Sequence, residues 1–356
     1  MQTDQIFKDL KIVELASVLA GPAVGQFFAE LGATVVKIEN SKTNGDVTRK
    51  WKLPDENKEA PFSAYYHGTN WGKESLLLDL SEETERSVAQ NLIAQSDIVL
   101  ANFKSGSAKK LQIDYAFLKK RNPALIYANL TAYGEQDNSP GFDVLLQAET
   151  GFLFMNGEPD RPPVKMPVAL IDILAAHQLK EAILIALLKR KASGKGSYIS
   201  VSLAKSAIAA LANQASNWLN VGHIPQRMGT QHPNISPYGD IFKTKDKKEI
   251  ILAVGTEKQF VDLCDILHLN EVKNDARFNL NSERVKNRIE LNKILEQAFL
   301  NFEQAFLLNQ FKTKKVPAGI IRNMQQVFET PIAQEMVLEN KHGGKGLRTV
   351  AFEISS

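Results

Sequence analysis

The chain has a single cysteine, Cys264, in 356 residues. One thiol excludes an intrachain disulfide and any cysteine-rich metal site, and it fits a reducing, cytoplasmic setting. Long apolar runs are missing as well. The longest, such as Ala182 to Leu188, are far too short to cross a bilayer, so no membrane association is expected. The first residues, MQTDQIFKDLK, are polar and charged and contain no signal-peptide hydrophobic segment. The net charge is only +3, which gives no nucleic-acid signature. There are six histidines, but no H-x-x-x-H pair and no metal-ligand spacing at His223, His232 or His268, so no metal is expected. A G-x-S-x-G elbow is absent, which leaves Ser/His/Asp hydrolysis without local support. Neither internal repeats nor low-complexity tracts occur.

What is present is an ordinary globular composition, 44% hydrophobic and 23% charged. The length exceeds what one core usually holds, and it implies two domains or one large α/β unit. Leu10–Ala16, Thr34–Glu39, Glu74–Leu80, Asp97–Asn102, Leu125–Tyr133 and Tyr198–Leu203 read as strands. Between them lie helical patterns at Pro22–Leu31, Ser81–Ser96 (with Ser81 as its cap) and Ala108–Lys120, and a long one opening at Asp172. This alternation predicts an α/β fold with a doubly wound, mostly parallel sheet. The stretch Gln226–Lys243 is rich in Pro, Gly and Asn and reads as a crossing linker. Beyond it come a strand at Glu249–Val254, helices at Glu257–Leu267 and Ser282–Leu308, and a terminal strand at Leu347–Ile354. The expected division is a large domain over 1–225, to which 321–356 returns, and a smaller α+β domain over 226–320.

Three features bear on chemistry. The turn SVLAGPAVG follows the first strand, and amides at a helix N-terminus suit a phosphate. Yet Gly21 and Gly25 do not make G-x-G-x-x-G, so Glu39 has little support as a ribose-binding acid of a dinucleotide site. The plainer reading makes Gly21-Pro22 a tight turn with Pro at the first helical position. Second, Lys73, Lys104, Lys109 and Lys110 follow or precede strand ends, where α/β proteins face their ligands. Solvated surface is the usual fate of lysine, but two such loops with Phe103 beside one of them suit an anionic, partly flat ligand such as a nucleotide. Third, Asp172 is a lone acid at the head of an apolar helix. It is either that helix's cap or a group acting in a site. His177, five residues on, sits about 140° further around the helix and is no partner for it.

These pieces occur in a particular order: LAGPAVGQFFAELGATVVKIE, then Gly45, Asp46 and Arg49, NWGKESLLLDL, DIVLANFKSG, NPALIYANLTAYG, FDVLLQAETG, the Asp172 helix, SGKGSYISVSL, PYGDIFKT and DARFNLNSERVKNR. The series resembles the family III CoA-transferases and is collinear with them from about residue 8 to about residue 354. The resemblance implies that Asp172 is a nucleophile that takes CoA from an acyl-CoA thioester to a carboxylic acid through an aspartyl anhydride and an aspartyl-CoA thioester. It implies coenzyme A or acyl-CoA as substrate, with no permanently bound cofactor. Val18, Leu19 and Ala20 would lie along CoA. Asn70, Trp71, Gly72 and Lys73 would form a loop whose lysine meets a phosphate. Asn102, Phe103 and Lys104 would flank the adenine, Lys110 would contact phosphate, and Ala132 with Tyr133 would border the pantetheine arm. Asn40 stands at a CoA-contacting position where some members carry arginine. The family also implies a homodimer of interlocked rings.

Two other readings accompany this one. A 2-methylacyl-CoA racemase needs an acid and a base across the α-carbon. The resemblance places histidine beside the aspartate of racemases, and here the neighbour of Asp143 is Phe142. A non-catalytic CoA-binding relative has no use for the Asp172 carboxylate. As to the acid substrates, Phe142, Leu146, Phe152, Phe154 and Met155 precede the Asp172 helix. Ordinary core is their plain reading. If some of them line the pocket, an apolar monocarboxylate is expected ahead of oxalate or succinate, because an unpaired second carboxylate is expensive there.

Overall fold

The computed structural model describes residues 5–340 and 343–354. They fall into two compact units, one made of 5–152, 165–223, 331–340 and 343–354, the other of 153–164 and 224–330.

The first unit is built on a six-stranded sheet: β1 (Lys11–Glu14), β2 (Thr34–Asn40), β3 (Lys73–Leu78), β4 (Ile98–Ala101), β5 (Ile126–Thr131) and β6 (Ser197–Ser202). The strands run parallel in the order β3-β2-β1-β4-β5-β6. Helix α1 (Ala20–Glu30) follows β1, α2 (Glu83–Ala94) joins β3 to β4, and α3 (Asp143–Glu149) and the 24-residue α4 (Leu170–Ser193) lie between β5 and β6. A parallel sheet buried on both faces needs near-continuous apolar strands, and all four residues of β4 are buried. The side-chain period of two then divides the core. Ile12, Val35, Ile98 and Ile126 face a cluster with α1 and α4, whereas Val13, Ile38, Val99 and Tyr127 face a cluster with α2. Strand order reverses between β1 and β4, and α/β folds open a crevice at such a switch point, beyond the strands' C-terminal ends.

Helix α1 approaches β1 closely because of two glycines. A Cβ at Gly21 would lie 2.3 Å from that of Ala16, and one at Gly25 would lie 1.9 Å from Glu14 Oε2. These glycines therefore serve helix–strand packing. Pro22 is the third residue of α1, not the first as the turn reading had it. The tail returns to α1: Gln26 Nε2 donates to the Leu347 carbonyl at 2.7 Å, and Glu30 accepts from the Thr349 and Val350 amides.

In the second unit, β7 (Tyr238–Lys243), β8 (Glu249–Ala253) and β9 (Ala318–Ile320) form an antiparallel sheet. It shares a core with α5 (Glu257–Ile266), α6 (Arg288–Phe299) and α7 (Gln304–Lys314), centred on Phe242, Phe260, Phe299 and Phe311. Thr256 starts α5 with a capping box to Gln259.

Four local expectations are corrected. The pattern at Ala108–Lys120 is broken at Gln112, whose φ is +52°, into short helices at Ser107–Lys110 and Tyr115–Leu118. Ser81 does not cap α2; its hydroxyl donates to Asp79, and Glu82 precedes the helix. The helical pattern at Ser282–Leu308 is interrupted twice, giving Asn281–Lys286 ahead of α6 and α7. The terminal strand is only β11 (Lys345–Leu347), paired with β10 (Val337–Glu339), and the described residues after it, 348–354, are irregular. No helix among the described residues is long and apolar enough to cross a membrane.

Candidate active site

Beyond the C-terminal ends of β1, β4 and β5 lies a cavity of about 730 Å3 within the first unit. Its rim is made by the β1–α1 turn, the loop after β4, the loop after β5 and the approach to α3. Asp172 opens onto it.

Asp172 is the third residue of α4. Ala169 precedes the helix and no side chain caps it, so the capping reading of Asp172 does not hold. One stripe of α4, Ile171, Ala175, Leu179 and Ile183, is fully buried in the core. This anchors the first turn and leaves Asp172 where core meets cavity, 9% exposed. Its carboxylate accepts no hydrogen bond among the described residues. Burial, and then the like charge of Asp143, push its pKa up to about 7. A helix N-terminus favours an anion, so desolvation outweighs the dipole here. His177 is exposed on the same helix and lies outside the cavity.

Asp143, at the start of α3, lines the same cavity. Both of its oxygens are engaged: Oδ1 accepts the Ile171 amide at 2.7 Å and Oδ2 accepts Gln147 Nε2 at 2.5 Å. Gln147 is fully buried, and its Oε1 accepts the Met166 amide at 2.8 Å.

The turn after β1 is held unusually. Val18 has φ +74°, a left-handed conformation that costs a β-branched residue of order 1–3 kcal/mol. Two anchors hold it there. Its amide donates to Asp46 at 3.2 Å, and Asn102 clasps Ser17 through both its side-chain oxygen and its side-chain nitrogen. Asp46 in turn pairs with Lys37, 3.1 Å away and fully buried. Val18, Leu19 and Ala20 thus line the cavity, as do Asn102, Phe103, Lys104 and Ala132.

Other expected contacts lie elsewhere. Lys73 is not on the cavity. Its ammonium is buried, 2.8 Å from Glu14 Oε2, 2.8 Å from the Pro22 carbonyl and 3.1 Å from Asn70 Oδ1. Burial pulls its pKa down to about 8 even beside Glu14. Asn70 is thereby tied to Lys73, and Trp71 Nε1 donates to the Glu339 carbonyl. Gly72, at φ +72°, makes the turn between them. Asn40 is exposed and its Oδ1 accepts the Lys42 amide, starting a turn of 3-10 helix. Lys110 is outside the cavity, and Lys109 lines it instead. Tyr133 borders a shallower adjoining cleft formed by residues 133–139. Glu39 is bound to Arg49, Tyr66 and Ser75, a structural cluster rather than a ribose site.

Sequence reading missed three tyrosines. Tyr127 and Tyr198 are register partners on β5 and β6 and stack with centroids 5.9 Å apart, and Tyr115 lies 5.5 Å from Tyr198. All three line the cavity, and the Tyr198 hydroxyl donates to Glu135. Two of them are the second residues of the observed strands β5 and β6, and Tyr115 starts the short helix Tyr115–Leu118. Of the apolar residues before α4, Leu146 is fully buried core, Phe152 packs against that core, and Phe154 and Met155 belong to the second unit. Only Phe142 lines the cavity.

The model of CoA-transferase family III matches residues 7–356. A succinate–glutarate CoA-transferase of Agrobacterium fabrum is 38% identical over 91% of this chain and 82% of its own length. The human succinyl-CoA:glutarate CoA-transferase is 32% identical over 94% and 76%. The acetyl-CoA:oxalate CoA-transferase of Acetobacter aceti is 30% identical over 95% and 86%. Among solved structures, a CAIB/BAIF family protein from Brucella suis superposes with a TM-score of 0.85 at 39% identity, covering 97% of this chain and 92% of that one. On the strength of these matches the chain belongs to family III of the CoA-transferases and is itself a CoA-transferase.

Proposed function

We propose that this protein moves CoA between dicarboxylic acids of four or five carbons, with Asp172 as the nucleophile. The observation that carries the reading is the position of Asp172: a buried, unbonded carboxylate on the first turn of a helix anchored in the core, opening onto the switch-point cavity. A carboxylate attacks a thioester carbonyl without a separate base once it is ionised. Its oxygen bonds to the acyl carbon, the C–S bond breaks, and CoA leaves as thiolate. The thiolate then attacks the aspartyl carbonyl of the mixed anhydride. The donor acid leaves as carboxylate, and an aspartyl-CoA thioester remains. The acceptor carboxylate repeats the two steps in reverse order and departs as its CoA thioester, which restores Asp172.

Lys104 and Lys109 face the cavity from the β4 loop and suit the phosphates of CoA. The dicarboxylate assignment draws on the acids named for the relatives, succinate and glutarate among them. It replaces the apolar monoacid expectation, whose five residues include only one, Phe142, on the cavity. The working unit is a cytoplasmic homodimer, which light scattering of the purified protein tests. For the chemistry, incubation with succinyl-CoA and hydroxylamine, followed by mass spectrometry, should place the modification on Asp172. Transfer surviving in Asp172→Ala removes the nucleophile assignment. A preference for long monoacids over succinate and glutarate removes the substrate assignment.

A further inference from the structure

We propose that Asp143 is a positioning residue for the reaction, fixing through Gln147 the segment that leads into α4 and thereby the aim of Asp172. The inference rests on Asp172 being the nucleophile. Two carboxylates line one cavity, and the structure treats them differently. Asp143 has both oxygens committed, to the Ile171 amide at 2.7 Å and to Gln147 Nε2 at 2.5 Å. Asp172 accepts nothing among the described residues. The committed carboxylate is a poor nucleophile, because attack would break two hydrogen bonds made to a charged acceptor. The free one is available. The chain of bonds continues from Gln147 Oε1 to the Met166 amide, so one relay grips both ends of the segment 166–171. Ile171 is the residue immediately before Asp172, and α4 has no side-chain cap of its own. Asp143 therefore supplies, from another helix, the acceptor that the orphan amides of a helix N-terminus require.

Asp143 also adds its like charge to the burial that raises the Asp172 pKa. Of the titratable groups coupled to Asp172, Asp143 comes from α3 and Tyr65 from the short helix Ala64–His67; Tyr65 also feels Asp46, from the loop after β2. Tyr65 feels all three carboxylates in addition to its burial. Only Asp143 adds to the effect of burial on Asp172.

The test uses the full-length protein and three variants: Asp143→Asn, Gln147→Glu, and the two combined. In Asp143→Asn the new amide nitrogen faces Gln147 Nε2, donor against donor, and the relay fails. In Gln147→Glu two carboxylates meet. The double variant restores every bond: the Asn carbonyl accepts from Ile171, its amide donates to the new Glu, and the other oxygen of that Glu accepts from Met166. Single-turnover acylation of Asp172 by succinyl-CoA should fall about tenfold or more in each single variant, with KM for the donor little changed. The double should recover to within about threefold at pH 8. In Asp143→Asn the acid limb of the pH–rate profile, near pH 7 in the natural protein, should move to lower pH. A double variant no faster than the singles, or Asp143→Asn with natural rate and profile, overturns the proposal. Circular dichroism confirms that each variant is folded. Asp172→Asn separates the two readings. If it is inactive while Asp143→Asn behaves naturally, only the positioning role fails; if it transfers CoA, the nucleophile reading itself fails.

Discussion

Replacing Asp172 with asparagine should make the protein more stable and inactive at once. Asparagine keeps the shape and removes a charge that burial opposes. Moving a carboxyl from its ordinary 3.8 to about 7 costs the folded, ionised form about 4 kcal/mol, at about 1.4 kcal/mol per tenfold change in ionisation. Loss of a favourable anion on the first turn of α4 returns about 0.5–1 kcal/mol of that, so a gain of about 3 kcal/mol remains. The sign in pH follows from the direction of the shift. The folded state holds the Asp172 proton more tightly than the unfolded chain does, so the natural protein loses stability as pH rises from about 4 to about 7. The advantage of Asp172→Asn should be absent below about pH 4 and complete above pH 7. Urea unfolding of both proteins at pH 8 and at pH 5 reads it directly, as midpoints at constant m. An Asp172→Asn variant no more stable than the natural protein at pH 8 refutes the reasoning, because it would mean that the carboxylate is not desolvated.

Acylation by the natural protein should rise about tenfold between pH 6 and pH 8, as ionised Asp172 grows from about one-tenth to about nine-tenths of molecules; a flat single-turnover profile contradicts this. Lys109→Ala should raise KM for acyl-CoA several-fold with a salt-dependent effect, whereas Lys110→Ala leaves it unchanged, since only the first lines the cavity. Glu14→Gln strips the shared partner from two buried ammoniums, Lys37 and Lys73, and should destabilise by about 3–5 kcal/mol in chemical denaturation. Cys264, buried with its thiol pushed up to about 12, first by burial and then by Asp265, should resist maleimide in the native state and label fully in urea.

The sheet was legible because its signals are local. The apolar runs of β1, β2, β4 and β5 and the alternation of β6 are read within a few residues, and their order beside helical patterns leaves a doubly wound sheet as the natural arrangement. Element ends were less legible for the same reason in reverse. Gln112 adopts a left-handed backbone that ends one short helix and forces another, and nothing in its side chain announces it. The returning tail makes only three strand residues of β11, because Glu30 of α1 takes the amides of Thr349 and Val350 that a longer strand would have paired.

The site divides along the same line. Residues that face the cavity because of strand-end position, such as Val18, Asn102 and Lys104, follow from topology alone. Lys73 opens β3, at the N-terminal end of its strand and not the C-terminal end that faces the crevice, and its ammonium is held by a partner 59 residues away in sequence, Glu14, whose own burial is invisible until the sheet is assembled. A buried carboxylate between two lysines captures both. Each lysine gains a short ion pair, which outweighs desolvation at Lys37 but not at Lys73, and a phosphate would have to break that pair to recruit Lys73. The distinction between Asp143 and Asp172 is of the same kind. In sequence they are two aspartates at the heads of two helices. In the fold Asp143 has both oxygens taken by Ile171 and Gln147, and Asp172 is left with no hydrogen bond among the described residues, its pKa raised to about 7, facing the cavity.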